Sequence, residues 1–218
     1  MLLEASKCSD IRKFIQISTD EVYGSLDDTG YFTESSPILP NNPYSASKAA
    51  VDHLVRSYHH TYGLPVNFVR FANIYGPSQY PEKLIPMKIK KALDNKEIPI
   101  HGQGLSIRDW FFVQDNVTAI DAILNNGLPG EIYNIGAQEE RRTIDVVQVI
   151  LEIIGKMRGL ITFIDDRQGQ DYRYANDPSK IMNDLDWQPR YNFELGLRIT
   201  INWYVENRTW WKALQSVG

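Results

Sequence analysis

Apolar and polar positions divide the chain into short β-rich runs and helical stripes. Lys13-Phe14-Ile15-Gln16-Ile17-Ser18 is rich in β-formers and predicts a buried strand over 13–18. Ahead of it, Leu2, Leu3 and Ala5 read as the tail of a helix with no cap and too little length to stand alone. Behind it runs a turn-rich stretch with Gly30, Pro37, Pro40, Asn41 and Asn42. Over 44–62, Ala46, Ala49, Ala50, Leu54, Val55, Tyr58 and Tyr62 recur at helical spacing, with Asn42 and Pro43 as cap and first-turn residue and Gly63 and Pro65 as the stop. A second strand is expected over 66–72. Strand, loop, helix and strand in this order predict an α/β domain with a parallel sheet.

The second half has shorter periods. Helices are expected over 84–93, 116–124 and 143–154, the last capped by Thr143 and ended by Gly155, with two more after Pro178 and over 193–207. Strands are expected over 98–100, 107–113, 131–135 and 161–164. The division expected is 1–76 as part of one α/β domain and 77–218 mainly as a smaller C-terminal α/β lobe, with 107–135 returning to the first domain.

Composition narrows the function classes. The 218 residues carry 23 basic and 27 acidic side chains, a formal charge of −4, which argues against a nucleic-acid partner. Cys8 is the single cysteine, which removes internal disulfides and cysteine-based zinc sites and makes a reducing cytoplasm the expected compartment. No apolar run approaches the roughly 18 residues of a membrane span.

Four features invite chemistry. Tyr44 and Lys48 stand one helical turn apart, so an ammonium can favour the phenolate; composition alone supplies about 0.6 such pairs by chance. Asp20-Glu21 ends the first strand, where α/β sheets bind ligands, and two carboxyls there can serve as acid and base or lie in a solvated turn. Gly102 and Gly104 read as a turn rather than a phosphate loop. His59-His60 reads as an exposed helix face rather than a metal site, and no metal is expected.

Taken together, Ser18-Thr19-Asp20-Glu21-Val22-Tyr23-Gly24 and Asn42-Pro43-Tyr44-Ser45-Ala46-Ser47-Lys48 resemble the signatures of extended short-chain dehydrogenases. The resemblance continues through Asn73-Ile74-Tyr75-Gly76-Pro77, Pro81-Glu82-Lys83-Leu84-Ile85-Pro86, Ile107-Arg108-Asp109-Trp110, Tyr133-Asn134-Ile135-Gly136, Asp171-Tyr172-Arg173-Tyr174 and Leu185-Asp186-Trp187-Gln188-Pro189. The Thr-Asp-Glu triplet is most similar to that of the nucleoside-diphosphate-glucose 4,6-dehydratases. The resemblance implies a Rossmann-type doubly wound sheet, NAD as cofactor, dTDP-glucose or a related sugar nucleotide as substrate, and a homodimer. It makes Thr19, Asp20, Glu21, Tyr44 and Lys48 catalytic, and Ser18, Tyr44, Lys48 and Ile74 neighbours of the cofactor. It places Thr19, Asn73, Lys83, Leu84, Pro99, Ile100, His101, Arg108, Thr143, Asp171 and Tyr174 at the substrate, with Arg108 on the diphosphate unless it pairs with Asp109 or another acid. Asp171 and Tyr174 are expected at the nucleotide end.

The chain also departs from that pattern. The glycine-rich turn that cradles the NAD pyrophosphate does not occur in it. The expected reading is an incomplete Rossmann sheet lacking three strands, about 100 residues by the length of a βαβ unit, and weak NAD binding by the chain alone. Thr143, Gln168, Gln170 and His101 stand where the bacterial glucose enzymes commonly carry other residues, which leaves the choice between dTDP and UDP open. Two other readings compete: a UDP-sugar epimerase or decarboxylase, which the Asp20-Glu21 pair opposes, and a non-catalytic sugar-nucleotide-binding remnant, which the absent glycine turn favours.

Overall fold

The computed structural model describes residues 1–215. In chain order the elements are α1 (Leu2–Lys7), β1 (Phe14–Thr19), a 3-10 turn (Asp20–Tyr23), α2 (Pro43–Tyr62), β2 (Val66–Phe71), β3 (Asn73–Tyr75), α3 (Leu84–Leu93), β4 (Ile98–His101), β5 (Ile107–Phe112), α4 (Val113–Asn126) and β6 (Ile132–Ile135). They continue with β7 (Glu140–Arg142), α5 (Thr143–Ile154), a second 3-10 turn (Arg158–Leu160), β8 (Ile161–Ile164), β9 (Arg173–Tyr174), α6 (Ser179–Leu185), α7 (Phe193–Glu206) and α8 (Arg208–Gln215).

β1, β2 and β6 form a parallel sheet in that order, with Ser18 opposite Arg70 and Thr19 opposite Phe71. Every residue of β2 is buried, as a central strand of a covered parallel sheet requires. A second sheet runs β3-β5-β7, with β9 beside β5, and β4 pairs with β8. Phe71, Phe111, Ile123, Tyr133, Ile135 and Trp187 pack against the first sheet. Tyr75, Ile85, Ile89, Phe112, Ile150, Leu197 and Trp211 fill the second lobe.

α2 begins as its sequence demands. The Asn42 side chain accepts the Ser45 N–H at 2.9 Å, Pro43 occupies the first turn, and Gly63 ends the helix at φ +70°. Gly102 and Gly104 also lie at positive φ, consistent with a turn. Thr143 is the first residue of α5 rather than its cap; Arg142 holds the cap position without a side-chain bond, and the Thr143 hydroxyl meets Ser106 Oγ at 3.0 Å. α4 starts at Val113, three residues before the expected start, because β5 passes straight into it.

Candidate active site

The carboxyl end of β1 carries the catalytic candidates. Thr19 caps the 3-10 turn: its Oγ1 accepts the Glu21 N–H at 3.3 Å and donates to Asp20 Oδ1 at 3.4 Å. That cap turns two consecutive acids into different surroundings. Asp20 is 2% exposed, and its Oδ2 has no hydrogen-bond partner. Burial raises its pKa well above the usual carboxylate range, and the charges of Glu21 and Asp109 push it further the same way. Glu21 is only half-buried and accepts the Ser45 hydroxyl at 3.1 Å. One acid is therefore buried where ionisation is costly, beside another that is tethered to α2.

Tyr44 and Lys48 project from the first turns of α2. Tyr44 is 56% exposed; burial of the remainder, then the charges of Glu21 and Asp20, raise its phenol. Lys48 donates from Nζ to the Ile17 carbonyl at 2.6 Å, which ties the first turn of α2 to the end of β1. Ser18 points beneath the site, where its hydroxyl donates to Asp52 Oδ2 at 2.8 Å. Asp52 pairs with buried Arg70 at 3.3 Å, and Arg70 reaches Tyr23 Oη at 2.8 Å. This buried chain of polar groups holds α2 to β1 and β2.

A cavity of about 510 Å³ lies in the second lobe; Thr19, Asp20, Glu21, Tyr44 and Lys48 are not in its wall. Asn73, Ile74, Lys83, Leu84, Ile100, His101, Arg108 and Thr143 line it, so eight of the expected binding residues converge. Arg108 joins the two regions: it faces the cavity and feels the charges of Asp20 and Glu21. It does not pair with Asp109. Its guanidinium instead donates to the carbonyls of Ile107 (2.7 Å), Asp171 (2.9 Å) and Tyr172 (3.2 Å) and lies 4.3 Å from the Tyr174 ring centre. Asp109 is buried, accepts the backbone N–H groups of Ala137 and Glu139, and is pushed up to about 6 by burial.

Four residues expected at the substrate, Thr19, Pro99, Asp171 and Tyr174, lie outside the cavity wall. Pro99 turns its carbonyl to Lys88. Asp171 and Tyr174, expected at the nucleotide end, sit behind Arg108: Tyr174 Oη donates to Asp171 Oδ2 at 2.5 Å, and Asn41 donates to Oδ1 at 2.6 Å. Gln79, Lys88, Ser106 and Arg167 line the cavity and were not singled out from the sequence, while Gln170, read there as a departure from the family, lines it too. Lys88 stands one helical turn after Leu84, a spacing that puts it on the same side of α3. Among the described residues, no group of three or more His, Cys, Asp or Glu side chains is arranged to hold a metal ion.

A parallel sheet, a Tyr-x-x-x-Lys helix after its first described strand and a sugar-nucleotide-sized cavity outside the strand ends define a short-chain dehydrogenase of the extended, Rossmann-type class. Residues 1–200 match the GDP-mannose 4,6 dehydratase family, and the chain belongs to it. It is 50% identical over 210 residues to a dTDP-glucose 4,6-dehydratase of Xanthomonas campestris, a match covering 92% of this chain and 60% of that relative. A dTDP-glucose 4,6-dehydratase of Bacillus anthracis, solved in complex with NAD, superposes with a TM-score of 0.94 at 48% identity, covering 98% of this chain and 68% of the other. A UDP-glucuronic acid 4-epimerase of Bacillus cereus, solved with UDP-glucuronic acid and NAD, superposes at 0.89 with 30% identity, covering 94% and 65%. The chain thus spans about 60% of the length of the curated relative.

Proposed function

We propose that this chain binds a nucleoside-diphosphate glucose, dTDP-glucose first among them, and dehydrates it to the 4-keto-6-deoxy sugar nucleotide with NAD. The observation that carries the reading is the split of Asp20 and Glu21 into a fully buried acid, whose pKa burial raises well above the usual carboxylate range, and a half-buried acid that accepts the Ser45 hydroxyl. Elimination needs both forms at once: one group takes a carbon-bound proton while the other delivers a proton to the leaving hydroxyl.

The cofactor's nicotinamide ribose suits the end of β1. Tyr44 is open there, and the Lys48 ammonium keeps donors beyond the one given to Ile17. Ser18, Tyr44, Lys48 and Ile74 are assigned to that half. The pyrophosphate finds no glycine-rich strand-to-helix turn among the described residues. NAD supplies, when bound, a reversible two-electron acceptor for C4 and donor for C6.

Tyr44 takes the proton of the C4 hydroxyl, and Lys48, one helical turn on, holds its ammonium at the Ile17 carbonyl. The C4 ketone then acidifies the C5 proton. Glu21, oriented by Ser45, removes it, and Asp20 gives its own proton to the C6 hydroxyl, which leaves as water. Arg108 binds the diphosphate through donor positions that its three carbonyl partners leave over. As C6 is reduced Glu21 returns a proton to C5, the proton held by Tyr44 passes to solvent, and solvent reprotonates Asp20. The same reading makes the protein cytoplasmic and a homodimer; exposed Val51, Leu54 and Tyr62 along α2 support an association face, which sedimentation of the purified chain tests.

The direct test incubates the chain with NAD and dTDP-glucose in deuterated water and weighs the sugar nucleotide. Loss of one water with deuterium entering the product, abolished by Asp20→Asn, is the expected result. A C4 epimer of unchanged elemental composition, or unchanged substrate, overturns the reading.

A further inference from the structure

Four cations line the 510 Å³ cavity, Lys83, Lys88, Arg108 and Arg167, against a single acid, Glu82. Lys88 is unlike the other three. It is 3% exposed and lies among Ile85, Ile89 and Ala92 on the buried side of α3, where a lysine is costly to hold charged. Its Nζ donates to the Pro99 carbonyl of β4, and two of its three ammonium protons are left for other acceptors.

Its surroundings withhold a counter-charge. The charges that act on it are Lys91 on its own helix and Arg167 from the segment after β8, and both repel it. His101 of β4 turns its Nδ1 to the Asp165 carbonyl. On α5, Asp145 is bound to Arg142 and Glu152 is exposed; on α7, Glu194 is bound to Arg141, while Arg198 and Glu206 are exposed. The cavity wall also holds the indole N–H of Trp110, which is buried without a partner. Donors and cations gathered in this way suit a multiply charged anion.

The geometry points to Lys88 as a further ligand-binding residue, which joins Arg108 and Arg167 on the diphosphate of the sugar nucleotide. The assignment rests on the function proposed above. Burial and the two repelling cations lower the Lys88 ammonium to about 8. A bound diphosphate stabilises the charged form, so ligand and proton bind together. Affinity then weakens as pH rises above 8, approaching tenfold per pH unit.

Calorimetric titration of the chain with dTDP at pH 7 and pH 9, in two buffers of different ionisation enthalpy, tests this. The unsubstituted chain is expected to take up protons on binding at pH 8–9 and to bind roughly tenfold more weakly at pH 9 than at pH 7. Lys88→Met is expected to bind about tenfold more weakly at pH 7 and to lose the pH dependence. Lys88→Arg is expected to keep the affinity at pH 7 and lose the pH dependence, because its charge is fixed. The ligand's own titration is common to all three proteins. If Lys88→Met does not fold, Lys88→Arg decides: a pH dependence retained in it overturns the inference. If both variants bind dTDP like the unsubstituted chain at both pH values, Lys88 is not a ligand-binding residue and the proposed function stands. If the unsubstituted chain does not bind dTDP, the inference and the proposed function fall together.

Discussion

Replacing Asp20 by Asn separates the acid's role in chemistry from its role in stability. Asp20 is buried with an unpartnered Oδ2, and its Oδ1 has only the long contact from Thr19. Asn reproduces the size and neutrality of the protonated acid. Below about pH 3, where Asp20 is protonated in both folded and unfolded chains, the two proteins should differ by less than about 1 kcal/mol. Above that the sign is fixed by linkage. The folded-state pKa lies well above the unfolded value, so the folded protein keeps a proton that the unfolded chain has lost. Stability of the natural chain therefore falls with rising pH by about 1.4 kcal/mol per unit between the two pKa values. The Asn variant has no such loss. Asp109 titrates in the same sense in both proteins, and only its repulsion with Asp20 is removed by the substitution.

Urea unfolding followed by circular dichroism at pH 4.5 and 5.5 measures the difference directly. The variant should gain on the order of 1 kcal/mol on the natural chain over that single unit. Its dehydration rate should meanwhile fall on the order of 10²–10⁴-fold, the range for losing a positioned proton donor. A stability difference that does not move with pH would falsify the buried-acid argument. Asp20 would then ionise as an ordinary carboxylate, and the division of labour with Glu21 would lose its physical basis.

Arg108→Lys should weaken dTDP binding about tenfold, or 1.4 kcal/mol, because one ammonium cannot span three carbonyls and still meet a diphosphate; calorimetry reads it. Asp52→Asn leaves Arg70 buried without its counter-charge, so the urea midpoint should drop by the equivalent of about 3 kcal/mol. Gly24→Ala meets both a φ of +91° and a Cβ only 2.5 Å from the Leu39 carbonyl oxygen; a loss of about 2 kcal/mol in thermal unfolding is expected.

What the sequence shows and what it hides follow one physical line. Helices α2, α3 and α5 are long enough for apolar periodicity to declare them, and α3 runs over the expected 84–93. β3, β7 and β9 are two or three residues long and owe their existence to pairing with β5, which no local pattern encodes. The site residues were legible as motifs, but their environments were not. In β1 the alternation runs against the hydrophobic rule: Gln16, Ser18 and, beyond the strand's end, Asp20 are buried, while Ile17 is 44% exposed. A pattern reader puts Ile15 and Ile17 inward and so expects Asp20 at the surface. Lys88 breaks the buried stripe of α3 in the same way. Each breach has a chemical counterpart. The desolvation that makes Asp20 costly to ionise keeps it a proton donor, and the desolvation that lowers Lys88 makes it responsive to an arriving anion. Polar residues on the buried side of otherwise apolar elements are therefore where sequence reasoning about the core fails and where this site's chemistry resides.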